Sequence, residues 1–342
     1  MVFVTGATGL VGSYLCRYLI MQGEQVRACY RAQSDFSLIA DVRDKIEWVE
    51  GDILDPGSLE DALQGVEKVY HCAALISYVR SRHDDLMRIN CEGTENVVNA
   101  CLYAGIRKLV YVSSIAALGR TGKDGETIDE QTPWERKKLT SDYSISKFSA
   151  EREVWRGIAE GLQAVIINPS IILGSGKWDS GSCKLFTTVY IGFKFYTTGV
   201  TGYVDVRDVV QIAYRLMESD VSGERFILNS ENIVYRDLLQ MMAKELDVQG
   251  PKTHAGAFLS GLAWRADKLR SLFTGKEPTV TKQTARIANK TVYFDNHKIC
   301  ERLAYTFIPV ADAVRDAAQA FLFEKDNGTY KPIPFEEPAN RS

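Results

Sequence analysis

Residues 2–12 read VFVTGATGLVG, an apolar, β-branched run that stops at Gly6, with Gly9 and Gly12 following at three-residue intervals. An apolar helical pattern, Leu10, Val11, Leu15 and Leu19, begins inside the same run. A strand that enters a glycine turn and leaves it as a helix is the opening unit of a dinucleotide-binding sheet. One glycine permits the tight turn, one lets the backbone approach a pyrophosphate, and one lets the helix pack closely, while the helix N-terminus offers unpaired N–H groups to the phosphates. The spacing is G-x-x-G-x-x-G rather than G-x-G-x-x-G, so the triplet needs its flanking strand and helix to carry that meaning. Glycines serving only a turn are the other reading.

The same alternation of strand and helix continues down the chain. Short β-branched or aromatic stretches predict strands at Val2–Thr5, Gln25–Tyr30, Ile46–Glu50, Lys68–Cys72, Lys108–Ser113 and Ala164–Asn168. Helical stretches fall between them: Gly9–Gln22, GSLEDAL from Gly57, MRINCEGTENVVNACLYAG ending at Gly105, and a segment carrying Tyr143 and Lys147. This is the pattern of an α/β, Rossmann-type, doubly wound parallel sheet with helices on both faces. After residue 168 the alternation breaks into a Gly/Ser loop, GSGKWDSGS at 174–182, and mixed short elements. The expected organisation is a cofactor-binding domain over 1–168, a smaller mixed lobe for substrate over 169–330 with some segments returning to the main sheet, and an extended, exposed tail over 331–342 whose three prolines disfavour regular structure.

Composition narrows the partners. At 342 residues, 45% hydrophobic and 25% charged, the chain is long enough for one large domain or two smaller ones. A net charge of −3 with scattered cations argues against a nucleic-acid partner. Seven cysteines without a C-x-x-C, with Cys16, Cys29, Cys72 and Cys101 in apolar surroundings, predict reduced thiols. His71, His83, His254 and His297 lack ligand-like spacing, so no metal is expected. The apolar run starts at Val2 with no charged segment before it, which predicts a cytoplasmic protein rather than a secreted one. Residues 254–275 (HAGAFLSGLAWRADKLRSLFTG) have helical apolar spacing, but the charges at Arg265, Asp267, Lys268 and Arg270 exclude a span. A helix lying on the protein body or over a ligand cleft, and an interfacial helix, are the two readings left.

The strand ends point to one rim, and ligands of open α/β sheets bind outside the carboxyl ends of the strands. The second strand closes VRACYRAQSD. Arg31 stands where an acid would hold the ribose hydroxyls of NAD, whereas an arginine there pairs with the extra phosphate of NADP; Asp35, the first acid, comes late. NADP is favoured, NAD stays open, and a solvated Arg31 is the alternative. GDILDPGSLEDAL puts Asp52 and Ile53 at the adenine edge, VYHCAA ends the fourth strand in small residues, and LVYVSSIAALG ends the fifth in Ser113 and Ser114.

These stretches carry a family resemblance. TGATGLVG, GDILD, HCAA, VSSIAALG, YSISK, NPSIILG and YVDVRDV occur in the order found in extended short-chain dehydrogenase/reductases, over roughly residues 1–210. The segment from Glu277 to Leu322 is similar to the closing part of the dihydroflavonol 4-reductase and 3β-hydroxysteroid dehydrogenase branch. The resemblance implies a catalytic set of Ser114, Tyr143 and Lys147, with Ser114 chosen over Ser113 because it lies five residues before Gly119. It implies a cofactor site of Gly6, Thr8, Gly9, Leu10, Val11 and Gly12 at the pyrophosphate, Arg31 at the 2′-phosphate, and Asp52 and Ile53 at the adenine. Ala73, Ala74, Asn90, Tyr143, Lys147, Pro169 and Ile171 would complete that site, Asn90 by helping to fix it. Family members often pair through two helices, so a homodimer is part of the same expectation.

The chemistry fits the residue types independently. Carbonyl reduction needs hydride at carbon and a proton at oxygen, and a tyrosine with a pKa near 10 is a poor acid–base group at neutral pH. A lysine one helical turn away favours the phenolate, and Ser114 can donate to the substrate oxygen as charge develops there. Sugar-nucleotide epimerases and dehydratases commonly carry RPxNVYGP after the sixth strand. Here the Asn, Tyr and Pro positions are Ile171, Leu173 and Ser175. Those departures suit a less polar ketone or aldehyde, with Trp178, Phe186, Tyr190, Phe193 and Tyr196 either lining its pocket or forming ordinary core. An NADP-dependent carbonyl reductase leads the readings, ahead of a nucleotide-sugar epimerase or dehydratase that recycles its cofactor and a non-catalytic cofactor-sensing module.

Overall fold

The computed structural model describes residues 1–120, 123–135, 140–256 and 288–335. The first half runs β1 (Val2–Thr5), α1 (Leu10–Met21), β2 (Val26–Tyr30), β3 (Ile46–Glu50), α2 (Pro56–Ala62), β4 (Lys68–His71), α3 (His83–Leu86), α4 (Gly93–Tyr103), β5 (Lys108–Val112), β6 (Glu126–Ile128), α5 (Asp142–Ala159) and β7 (Ala164–Pro169). A π-helical turn over Met87–Glu92 joins α3 to α4. The strands expected to reach Cys72 and Ser113 end one residue sooner, though the Cys72 N–H still donates to the Thr5 carbonyl at 3.2 Å and the Ser113 N–H to that of Ile167 at 2.8 Å.

The second half comprises β8 (Ile171–Leu173), α6 (Lys184–Tyr190), β9 (Phe195–Tyr196), β10 (Val200–Asp205), α7 (Val206–Glu218), β11 (Glu224–Leu228), β12 (Glu231–Val234), α8 (Tyr235–Glu245), β13 (Thr253–His254), β14 (Val292–Phe294), α9 (His297–Leu303) and α10 (Val310–Asn327). Seven parallel strands form the main sheet in the order β11-β7-β5-β4-β1-β2-β3, so β11 extends its edge beside β7. A second sheet, β12-β10-β8, is mixed, and β6 pairs in parallel with β14 from the far end of the chain.

Alternation along each strand explains the layers. Val2, Val4, Tyr70, Val110 and Val165 face the cluster formed with α1 and α7; Phe3, Val69, Leu109, Tyr111 and Ile166 face the cluster formed with α2, α4 and α5. Burial on both faces is why these strands read as nearly continuous apolar runs. Truncating a fully buried side chain such as Leu15 would cost about 2–5 kcal/mol. Helix starts are set locally. Asp55 accepts from the Gly57 N–H with Pro56 in the first turn of α2, and the Ser141 hydroxyl accepts from the Ser144 N–H at the start of α5. Strand order reverses between β1 and β4, which opens the crevice where the loops after those strands part.

Of the tail read as exposed, the described residues 331–335 are tied down at several points. The Ile333 N–H donates to the Tyr14 hydroxyl at 2.8 Å, Ser175 donates to the Lys331 carbonyl at 2.7 Å, and Phe335 lies tilted on Tyr18 at 4.9 Å between ring centroids. The backbone is extended, but two apolar side chains between prolines lie across α1, and Ile333 is buried. The 254–275 reading falls outside the described residues beyond Gly256, as do residues 336–342.

Candidate active site

The glycine turn sits at the strand-order reversal. Gly6 has φ +70°, and a Cβ on it would lie 2.7 Å from the backbone nitrogen of Ala73. The β1 and β4 exits therefore touch through a position that admits no side chain. A Cβ on Gly12 would fall 2.2 Å from the Gly6 carbonyl oxygen, so α1 closes directly onto the turn. Gly9 is exposed and extended at the helix start, with Thr8, Leu10 and Val11 half-buried around it. The α1 N-terminus carries no side-chain cap, which leaves its N–H groups for an anion.

Arg31 is exposed at the end of β2, its backbone N–H turned to the Ser34 hydroxyl at 2.9 Å. Asp35 is drawn away to Lys177 at 2.8 Å, a hydrogen bond that holds its carboxyl down to about 2. Asp52 uses one carboxylate oxygen to accept from the Leu54 N–H at 3.0 Å. Ile53 buries its side chain against Gly93, where a Cβ would be 2.5 Å from its Cδ1, so only its backbone is left for a ligand. Ala73 is half-buried and Ala74 exposed.

Ser114, Tyr143 and Lys147 converge. Ser114 is extended at φ −165° and caps the short turn Ile115–Ala117 by accepting from the Ala116 N–H at 3.1 Å. The Ser144 hydroxyl donates to the Ala116 carbonyl at 2.6 Å, which ties the start of α5 to that turn. Tyr143, in the first turn of α5, is thereby held near Ser114. Ser113, by contrast, is buried with its hydroxyl unpartnered. Lys147 is 1% exposed, and its ammonium donates to the Tyr111 hydroxyl at 2.8 Å and the Val112 carbonyl at 3.0 Å.

The electrostatics differ from expectation at one point. Burial raises Tyr143, Tyr78 adds to the rise, and the nearby Ser114 hydroxyl is the influence that lowers it. Lys147 is not among these influences. Burial brings its own ammonium down to about 7, against the pull of Glu151 and Cys72, and two of its three donors are spent on β5. Lowering of Tyr143 by Lys147 is thus not supplied by the chain alone.

A buried network behind the site was missed from sequence. The Thr94 hydroxyl donates to the Asn90 carbonyl at 2.6 Å, so it accepts from His71 Nε2–H at 3.0 Å. His71 Nδ1 is then the acceptor for the Thr5 hydroxyl at 2.7 Å, and Thr5 accepts from the Ala73 N–H at 3.2 Å. Burial holds His71 down to about 3, hence neutral, with its ring stacked on Tyr111. The one sequence signal was the histidine of HCAA. Asn90, 1% exposed in the π-helical turn, binds both backbone groups of Leu75 at 2.7 and 2.9 Å and donates to Ser146 at 2.9 Å. Both donors of its amide are spent on protein. It clamps the loop after β4 onto α5. Asn168 donates to the Ser114 carbonyl at 3.0 Å and to Glu151, which pairs with Arg225 at 3.3 Å.

Pro169 is buried at the end of β7, and Ile171 is half-buried in β8 opposite Tyr203. Three of the aromatics read as pocket or core are core. Trp178, Phe186 and Tyr190 cluster around Phe321 of α10, because Trp178 is anchored there by its donation to Glu324 at 2.8 Å. Phe193 is exposed, and Tyr196 tilts onto His254. Among the described residues no cluster of His, Cys, Asp or Glu fits a metal ion, and no helix is long and apolar enough to cross a membrane.

The profile of the family described as NAD dependent epimerase/dehydratase matches residues 2–229. A Synechocystis sp. protein named "Putative dihydroflavonol 4-reductase" is 33% identical over 331 residues, covering 93% of this chain and 94% of that one. Cinnamoyl-CoA reductase 1 of Petunia hybrida is 29% identical over 258 residues, covering 71% of this chain and 76% of its own. The crystal structure of gox2253, 33% identical, superposes with a TM-score of 0.80 over 97% of this chain and 99% of that one.

Proposed function

The chain belongs to the NAD dependent epimerase/dehydratase family, and from that premise we propose that it is an NADP-dependent oxidoreductase that reduces a ketone or aldehyde. The observation that carries this reading is the start of α5 tied by Ser144 to the turn that Ser114 caps, which sets Tyr143 near Ser114, one helical turn from a buried Lys147, in a fold whose glycine turn admits no side chain at Gly6 or Gly12. The names of the reductase relatives support the reaction class.

A nicotinamide cofactor would supply the hydride. Tyr143 gives the proton to the substrate oxygen, and the Ser114 hydroxyl donates to that oxygen as negative charge builds on it. The third Lys147 donor is available for a ribose hydroxyl, coupling cofactor position to the proton-donating helix. The uncapped start of α1 would hold the pyrophosphate, the Ile53 backbone and Asp52 the adenine, and Pro169 and Ile171 the nicotinamide end. For NADP over NAD, the support is an exposed Arg31 together with an Asp35 already committed to Lys177. On this reading residues 1–168 hold the cofactor and 169–330 shape the substrate site, with β11 returned to the main sheet.

Fluorescence titration with NADPH and NADH, followed by NADPH oxidation across aromatic, steroid-like and small carbonyl compounds, tests the proposal. Tighter NADPH binding and turnover of at least one carbonyl class are expected. Equal binding would remove the NADP assignment, and no turnover across the panel would remove the reductase.

A further inference from the structure

We propose that Glu151 is a positioning residue of the reaction centre, the buried carboxylate that balances the Lys147 ammonium one turn earlier on α5. Its part in reduction rests on the reading of Tyr143 as proton donor; the charge pairing does not.

Both residues lie on the buried face of α5, and each is 1% exposed. Side chains four apart on a helix are neighbours, with about 5–6 Å between Cβ atoms. The sheet beneath decides where their heads go. The Lys147 ammonium donates to the Val112 carbonyl on β5, and the Asn168 amide on β7 donates to one Glu151 carboxylate oxygen. Val112 stands opposite Ile167 in the β5–β7 register. The two anchors are therefore one residue out of step on strands that run about 4.7–4.9 Å apart.

The carboxylate is fixed in that place. Asn168 spends its amide nitrogen twice, on Glu151 and, at 3.0 Å, on the Ser114 carbonyl. An ionised carboxylate and a carbonyl can only accept, so the nitrogen must face them, and Asn168 Oδ1 is left buried with no partner among the described residues. From β11, Arg225 reaches the second Glu151 oxygen at 3.3 Å, while its Nε goes to the Glu130 carbonyl at 3.0 Å.

A buried ammonium is costly without an opposite charge. Arg207 and Lys68, two other enclosed cations, meet carboxylates directly: Asp205 and Asp316 at 2.7 Å each, Glu24 and Glu218 at 2.8 and 2.7 Å. The groups that Lys147 donates to, the Tyr111 hydroxyl and the Val112 carbonyl, are neutral. Burial lowers Lys147, and the Glu151 charge is the foremost influence against that fall. The other titratable groups around the pair do not replace it. His71 is neutral, and burial pushes Tyr111, Tyr143 and Cys72 up, so they stay uncharged. The Glu130 carboxylate is turned to the Ile227 N–H at 2.8 Å, and Lys298 donates to the Arg225 carbonyl at 2.9 Å and pairs with Glu224 at 3.0 Å.

The test follows the Lys147 ammonium by NMR in the full chain labelled with carbon-13 at lysine Cε, its signal identified by loss in Lys147→Met. Glu151→Gln should lower the titration midpoint by at least about one pH unit. Arg225→Gln breaks the same ion pair but keeps the Glu151 charge, so the midpoint should stay or rise. Glu151→Asp draws the charge back by one methylene and should lower the midpoint by less, which decides the matter if the Gln variant does not fold. A midpoint unmoved in Glu151→Gln, or in Glu151→Asp where only that variant folds, overturns the pairing. So does a midpoint lowered as far by Arg225→Gln. In NADPH oxidation the alkaline fall of kcat should move down by the same interval in Glu151→Gln, and a fall that stays in place while the midpoint moves removes the part in reduction. A midpoint that answers to Glu151 in a protein that turns over no carbonyl sinks the reductase and leaves the pairing standing, whereas turnover with an unmoved midpoint does the reverse.

Discussion

The Lys147 ammonium donates to the Tyr111 hydroxyl at 2.8 Å while lying 4.5 Å from the centroid of the same ring. The cation is therefore held from strand β5 below it, and it stays partnered whether or not a ligand lies above. Burial brings it down to about 7, below its ordinary 10.5.

That shift has a sign in stability. Between about 7 and 10.5 the unfolded chain holds a proton on Lys147 that the folded chain has released, so stability rises with pH across that window. Lys147→Met removes the dependence. Relative to the unaltered protein, the variant should be favoured most at pH 6, with the advantage shrinking by up to about 1.4 kcal/mol per pH unit above 7. Urea unfolding at pH 6, 8 and 10 measures it, and a gap independent of pH would refute the assignment.

On the proposed reading, Tyr143→Phe removes the proton donor while the glycine turn and Arg31 stay in place. Turnover should fall about 10²–10⁴-fold, with NADPH affinity within about twofold. Ser114→Ala, which also removes the lowering influence on Tyr143, should cost about 10²–10³ in kcat. Stopped-flow kinetics beside equilibrium titration separates the two effects.

Arg31→Ala should weaken NADPH by about 10–100-fold and leave NADH within about twofold, because the substitution removes a phosphate–guanidinium pair that only NADPH can make. Equal weakening for both cofactors would mean that Arg31 shapes the loop rather than reads the phosphate.

His71 acts in the opposite pH range. It is held to about 3, so below 6.5 the unfolded chain takes up a proton that the folded chain refuses, and stability falls as pH drops. His71→Gln should be less stable at pH 7, because the stacking on Tyr111 is gone, and should close that gap by up to about 3 kcal/mol by pH 4.5. Denaturant midpoints at the two pH values report the crossing.

The main sheet was legible because parallel strands buried on both faces write themselves as apolar runs, and Gly6 announces a turn that no other residue can make. The convergence of Ser114 and Tyr143 followed from the strand-to-helix order. What sequence could not supply was pairing across distance. Asn90 looks like any helix-face amide until Leu75 and Ser146 are seen on either side of it. Trp178, Phe186 and Tyr190 have the composition of a pocket and the placement of a core, decided by Phe321 more than a hundred residues later. Lys147 was read as the group that lowers Tyr143, and helical spacing alone could not show that two of its donors go to Tyr111 and Val112.

The bond from Ile333 to Tyr14 joins positions 319 residues apart, the first helix of the chain to its last described stretch. During synthesis α1 can pair with β1 and β2 early, yet the patch of Tyr14 and Tyr18 that Phe335 covers stays open until residue 335 has left the ribosome. A nascent chain is thus sticky at α1 from the emergence of that helix until residue 335 follows, and chaperone occupancy mapped along translation should concentrate on α1 over that interval.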